Sequence, residues 1–235
     1  MNQTELLDQQ IERLGFYAAA LTICVGFPML SLPLDIAGGN AAAHADRVLW
    51  LVDNRIPFVL AWLVQIVAMV TLTLVLMALL WASRATSLLR AGLALSLLAS
   101  AFVVFIIPKF MAIWTVPLLA ETVAQGREGY AMADALLLLL NVSAPASLFT
   151  SFDYLGFWLY SLYGLLAAGL LWKGKLAAKV CAAALWAYGV LYQLLLVSVI
   201  FGLIAAAQVE AYALGASALL LVPVFSAIFL FSSSR

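Results

Sequence analysis

Apolar residues recur along this chain in runs as long as a helix needs to cross a hydrocarbon layer, and the polar residues gather between them. Six such runs cover residues 15–34, 56–82, 89–119, 154–172, 180–207 and 211–231. At about 1.5 Å of rise per residue, each helix would reach across a ~30 Å membrane core. The pattern predicts an all-α, polytopic membrane helix bundle with six transmembrane helices, formed by a single integral membrane domain over residues 1–235.

The intervening segments add detail. Pro28 and Pro33 remove backbone donors near the end of the first run and are expected to kink or end that helix. The loop over residues 35–55 opens on an Ala-Gly-Gly-Asn turn signal, and residues 41–51 then read as a helical turn or two near the interface. Residues 120–152 are too many for a turn. They contain an apolar run, 135–142, that is too short to span and is broken by Ser143, Ala144 and Pro145. An extra non-spanning helix between spans three and four is expected there.

Charge placement turns the pattern into a topology. Arg13, Arg84, Arg90, Lys173, Lys175, Lys179 and Arg235 fall on one side of the predicted bundle, and only Arg47, Arg55 and Arg127 fall on the other. Basic residues mark the cytoplasmic side, so both termini are expected inside (N-in/C-in) and the chain in a cell (inner) membrane as a multi-pass protein. The outer segments collect Asp35, Asp46, Asp53, Glu121, Glu128, Asp134, Asp153 and Glu210. The polar, acidic start of the chain and the missing small-residue cleavage site give no sign of a cleavable signal.

Composition narrows the function classes. Of all residues, 67% are hydrophobic and 9% charged, against about a quarter charged in a soluble domain. Basic and acidic residues number eleven each, and a balanced charge argues against nucleic acid as partner. Cys24 and Cys181 fall at different depths and are not expected to pair. With His44 as the one histidine and no CxxC or HExxH spacing, neither a cofactor nor a metal ligand set is expected.

Several stretches carry a resemblance. Glu12-Arg13-Leu14-Gly15-Phe16-Tyr17 enters the first span, Arg55-Ile56-Pro57 leads to Gln65 and on to Leu74-Val75-Leu76-Met77-Ala78-Leu79-Leu80, and Ile107-Pro108-Lys109-Phe110 lies in the third. In the fourth, Leu155-Gly156-Phe157-Trp158-Leu159-Tyr160 and Gly164 precede a basic turn. Together these resemble a widespread bacterial family of uncharacterised six-helix membrane proteins, described only as a domain of unknown function. The turn itself departs from that pattern, reading Lys173-Gly174-Lys175-Leu176-Ala177 without the proline that follows the basic residue there. The resemblance implies a six-helix fold and no particular activity.

Candidate chemistry therefore rests on polar residues inside apolar spans, which are costly and turn toward protein or water. On span four, Asp153, Gly156, Tyr160, Tyr163, Gly164 and Ala167 recur at spacings of three and four and should face the bundle. Tyr188 and Tyr192 share a face of span five, with Gln193 adjacent, and Gln65 lies near mid-depth on span two. Lys109 falls ~27 Å along span three, close to the outer boundary, where its stem can snorkel to water and Asp153 lies at similar depth. Gln65, Lys109, Asp153, Tyr160, Tyr163, Tyr188, Tyr192 and Gln193 are the candidate ligand-binding residues. Helix packing and a salt-bridged rim are the competing explanations for them. Trp50, Phe152, Trp114 and Trp158 toward the outer ends, and Trp81, Trp172 and Trp186 toward the inner ends, read as interface belts.

No catalytic residue is assigned, and an enzyme ranks last. The expected partners are the lipid bilayer and either of two others. One is a small apolar or amphiphilic ligand bound or transported from the outer face. The other is a second membrane protein, for which this chain would be a structural or accessory subunit.

Overall fold

The computed structural model describes residues 3–29 and 31–232, and among them every regular element is helical. The helices are α1 (Gln3–Met29), α2 (His44–Asp53), α3 (Arg55–Ser83), α4 (Leu88–Ala124), α5 (Tyr130–Leu139), α6 (Leu148–Leu171), α7 (Leu176–Ile200), α8 (Ala206–Ser217) and α9 (Leu221–Phe231). Six segments are long and apolar enough to cross a membrane: Gln3–Met29, Arg55–Thr86, Leu88–Ala124, Leu148–Leu171, Leu176–Ile200 and Ala207–Phe231. The last joins α8 to α9 through a short 3₁₀ turn over Ala218–Leu220. The chain is a multi-pass membrane protein of six such segments.

Two spans end well short of their apolar runs. The first is described as helix to Met29, one residue after Pro28, and residues 31–34 are not helical, where the run itself continued to residue 34. The fifth closes at Ile200 and not at residue 207, because Gly202 adopts a left-handed conformation (φ 64°) that turns the chain out of the helix. Arg235, counted with the cytoplasmic basic residues, lies outside the described residues.

The spans close into a ring. α1 packs on α3, α3 on α4, α4 on α6, α6 on α7 and α7 on α9, which returns to α1. α3 also reaches across to α6 and α9. The α6–α7 crossing is close because Gly164 faces backbone: a Cβ there would stand 2.8 Å from the Leu185 carbonyl oxygen. On the opposite strip of that crossing, a Cβ at Gly189 would stand 2.9 Å from the Ser161 carbonyl oxygen.

α4 has 37 residues and so measures ~55 Å, well beyond a ~30 Å hydrocarbon core. Its C-terminal half is clothed by the two short helices, α2 and α5. The predicted non-spanning helix is α5, followed by the break that holds Pro145, and α2 is the predicted helix of the first outer loop. Together they form a cap with its own core, made of Val48, Leu51, Phe58, Trp62, Ala112, Val116, Ala120, Leu137, Leu140 and Phe149. The larger core runs down the bundle through Leu76, Leu98, Phe105, Tyr160, Tyr163, Leu185 and Tyr188. At the other end, Asp8 ties α1 to α3, accepting hydrogen bonds from Trp81 Nε1 (2.8 Å) and Arg84 Nη2 (2.6 Å).

Candidate functional site

Lys109 sits where the two cores meet. Its ammonium lies 5.2 Å from the ring centre of Phe105, in the bundle core, and 5.7 and 5.9 Å from those of Phe149 and Trp62, in the cap core. It donates a hydrogen bond to Asp153 Oδ1 on α6. The expected pairing of these two residues is present. The snorkelling reading of Lys109 is corrected, because the side chain is 1% exposed: the cap extends the protein over the level at which a bare helix end would have met water. Enclosure by three rings suits an ammonium, whose charge is drawn to the face of an aromatic ring within ~6 Å.

Asp153 differs from its partner in being 22% exposed. Gly156, one turn further along α6, admits the Phe105 ring, which a Cβ would meet at 2.8 Å. Removing that one side chain lets the ring lie under Lys109. On α3, Trp62 Nε1 and Gln65 Oε1 are buried without a hydrogen-bond partner among the described residues. Trp62 belongs to the Lys109 enclosure, and Gln65 lies three residues, about 4.5 Å of helix, further along.

The remaining candidates are joined to neighbouring helices. Tyr160 shares a 2.6 Å hydrogen bond with Thr73, and Tyr163 donates to the Leu76 carbonyl at 2.7 Å, both linking α6 to α3. Tyr188 donates to the Phe157 carbonyl (2.8 Å) and Tyr192 to the Tyr154 carbonyl (3.2 Å), linking α7 to α6. Gln193 Nε2 donates to Ser161 Oγ (2.7 Å), while its oxygen accepts from Trp158 Nε1 (3.1 Å). Tyr160, Tyr163 and Tyr188 are fully buried. Their hydroxyls are consumed in holding the ring together, and the middle of the bundle is packed.

Space for a ligand lies beside that core, at the cap end. A groove of about 620 Å³ runs between α6, α7 and α8, lined by Pro145, Ala146, Tyr154, Leu155, Trp158, Tyr192, Leu195, Leu196, Val199, Ile204 and Val209. Of the eight sequence candidates, Tyr192 borders it. Leu155, Leu196 and Val199 are exposed along it, so the groove opens sideways from the bundle. Sequence reasoning missed this site. Tyr154 and Trp158 on α6, and Leu195, Leu196 and Val199 on α7, recur at helical spacing. Apolar residues so spaced look the same whether they meet lipid directly or line a hollow.

A second polar group also escaped the sequence reading. Arg47 on α2 donates to Asp35 Oδ1 (3.1 Å), to Asp35 Oδ2 (2.9 Å) and to the Gly39 carbonyl (2.5 Å), and Ser143 Oγ donates to Asp35 Oδ2 at 2.5 Å. His44 Nε2 lies 2.7 Å from Asp134 Oδ1 on α5. These contacts pin the first outer loop to the segment after α5. They fasten the cap, and they lie apart from the groove. Among the described residues no group of three or more His, Cys, Asp or Glu side chains is placed to hold a metal ion.

Compared with family models, with curated proteins and with solved structures, the chain finds no match.

Proposed function

We propose that this chain is a bacterial inner-membrane protein, with both termini in the cytoplasm, that binds a small amphiphilic molecule in the groove between α6, α7 and α8. The proposal includes membership of the six-helix family it resembles, which supplies no activity of its own. The observation that carries the reading is the groove. Its volume of about 620 Å³ lies within the 300–1,000 Å³ range of small-molecule sites, and its wall is apolar except for Tyr154, Trp158 and Tyr192. It sits at the cap end, which the basic-residue asymmetry puts outside, so an amphiphile would enter it from the outer leaflet. The packed tyrosine core favours binding over passage through the bundle.

The test is mass spectrometry of the protein extracted gently from its native membrane. A bound amphiphile is expected with the wild type and lost in Val199→Trp, which fills the groove from an exposed position. A wild-type protein free of amphiphile, or an adduct that survives Val199→Trp, would overturn the reading.

A second reading is a subunit packed on another membrane protein. It is favoured by a hollow of about 440 Å³ on the opposite half of α6 and α7, lined by Ala168, Gly169, Trp172, Ala183 and Trp186, where small residues between two tryptophans suit a helix from a neighbour. A photo-crosslinker at Ala183 should then capture a protein band in native membranes, and capture of lipid alone counts against it.

A further inference from the structure

A hollow at the opposite end of the bundle differs from the groove in its chemistry. Its volume is about 300 Å³, at the lower bound of small-molecule sites, and two lysines, Lys173 and Lys175, stand in its wall. Both come from the turn between α6 and α7. Gly174 keeps that turn tight, since a Cβ there would stand 2.7 Å from the Ala178 side chain and 3.3 Å from the Leu171 carbonyl oxygen.

The rest of the lining shows where the hollow opens. Glu12 belongs to α1, Ser83 to α3, Leu171 to α6, Ala178 to α7 and Phe231 to α9, so five of the six spans enclose it. A hollow bounded by five members of a ring lies at the mouth of that ring. It therefore faces water along the bundle axis, and by the basic-residue asymmetry that water is cytoplasmic.

The polar groups in the wall favour an anion. Lys173 and Lys175 are exposed and make no ion pair among the described residues, whereas Glu12, the one acid of the lining, is not free. The C-terminus of α3 adds little negative potential, because its last carbonyls are engaged. Ser83 Oγ donates to those of Leu79 and Leu80, each at 3.0 Å, and Arg84 Nη1 to that of Trp81 at 2.8 Å. The first turn of α7 starts at the same wall without a side-chain cap, and its N–H groups add partial positive charge to that of the lysines.

We propose that this hollow binds a soluble phosphate monoester carrying a small apolar group. The phosphate is held by Lys173 and Lys175, and the apolar part rests on Leu79, Leu170 and Phe231. Lysine suits phosphate as a point charge, and a monoester near neutral pH carries about two negative charges, one for each lysine. The site is separate from the groove and does not rest on it.

The experiment is isothermal titration of the full chain in phosphatidylcholine nanodiscs at neutral pH and low salt, with phenyl phosphate and phenyl sulfate as probes of one shape and different charge. The wild type should bind the phosphate about threefold more tightly than the sulfate, the scale of one exposed charge pair. Lys173→Gln and Lys175→Gln should each weaken phenyl phosphate by about the same factor, with melting temperatures unchanged because neither lysine is paired. Lys179→Gln removes a charge at the same end that does not line the hollow, and it should leave the affinity as it was. Equal affinity for the two probes, or equal weakening by Lys179→Gln, would reduce the site to diffuse attraction and overturn the proposal. In nanodiscs doped with phosphatidic acid, native mass spectrometry should show no lipid adduct that depends on Lys173. Such an adduct would assign the lysines to a membrane headgroup and overturn the soluble ligand.

Discussion

A charged side chain enclosed in protein at the edge of a hydrocarbon layer is stable only with a partner, and Lys109 shows how one residue can meet that condition twice. Asp153 supplies the opposite charge, and Phe105, Phe149 and Trp62 supply ring faces on the sides where no hydrogen bond is made. Losing either member leaves the other uncompensated. Lys109→Met or Asp153→Leu alone should therefore each cost ~3–5 kcal/mol, and the double substitution should cost clearly less than the sum. A double-mutant cycle on unfolding in detergent micelles measures this. Strictly additive losses would mean that the pair is not coupled. The sequence brought these two residues to one depth by counting along helices, but it could not show that a cap would exclude water from them.

Among the elements, the α6–α7 pair depends most on a missing side chain. Gly164 is packed against the Leu185 carbonyl, and α6 and α7 are further tied by Tyr188, Tyr192 and Gln193. Gly164→Ala would drive a methyl group to 2.8 Å from backbone oxygen, which a helix cannot relieve by turning a rotamer. It should destabilise by ~1–3 kcal/mol, the usual cost of overpacking. Gly215→Ala, where nothing lies within 4 Å, should be neutral or slightly stabilising in the same unfolding assay. If both behave alike, close approach at Gly164 is not what sets this crossing. The six spans were legible in the sequence because their apolar runs are long, and α5 was legible because its run is short and ends at Ser143 and Pro145. The cap was only half legible. Asp35, Arg47 and Asp134 read as ordinary outer-loop charges, and nothing local says that Arg47 reaches back to Asp35 or that Ser143 closes on it from far along the chain. The stripe of Tyr160, Tyr163 and Gly164 was read correctly as facing the bundle. Whether its hydroxyls faced a ligand or a helix was undecidable from spacing, since both need the same polar residues on the same face.

Taken as a whole molecule, the distribution of free charge gives a stronger argument for orientation than the raw count of basic residues. Each arginine of the cap end has an acidic partner in the fold: Arg47 pairs with Asp35, and Arg55 and Arg127 both reach Glu121. At the other end Arg84 pairs with Asp8, but Arg90, Lys173, Lys175 and Lys179 are exposed and make no ion pair among the described residues. Unneutralised cations resist translocation and are attracted to an anionic cytoplasmic leaflet by about 1 kcal/mol each, whereas internally paired ones contribute little net charge to either face. The end with Lys175 should therefore be cytoplasmic, and the cap with Glu128 at its exposed rim should be outside. In a Cys24→Ser background, a membrane-impermeant maleimide added to intact cells should label Glu128→Cys at once and Lys175→Cys only after the membrane is opened. The reverse pattern would place the cap and the groove beside it in the cytoplasm, and an amphiphile would then have to arrive from the inner leaflet.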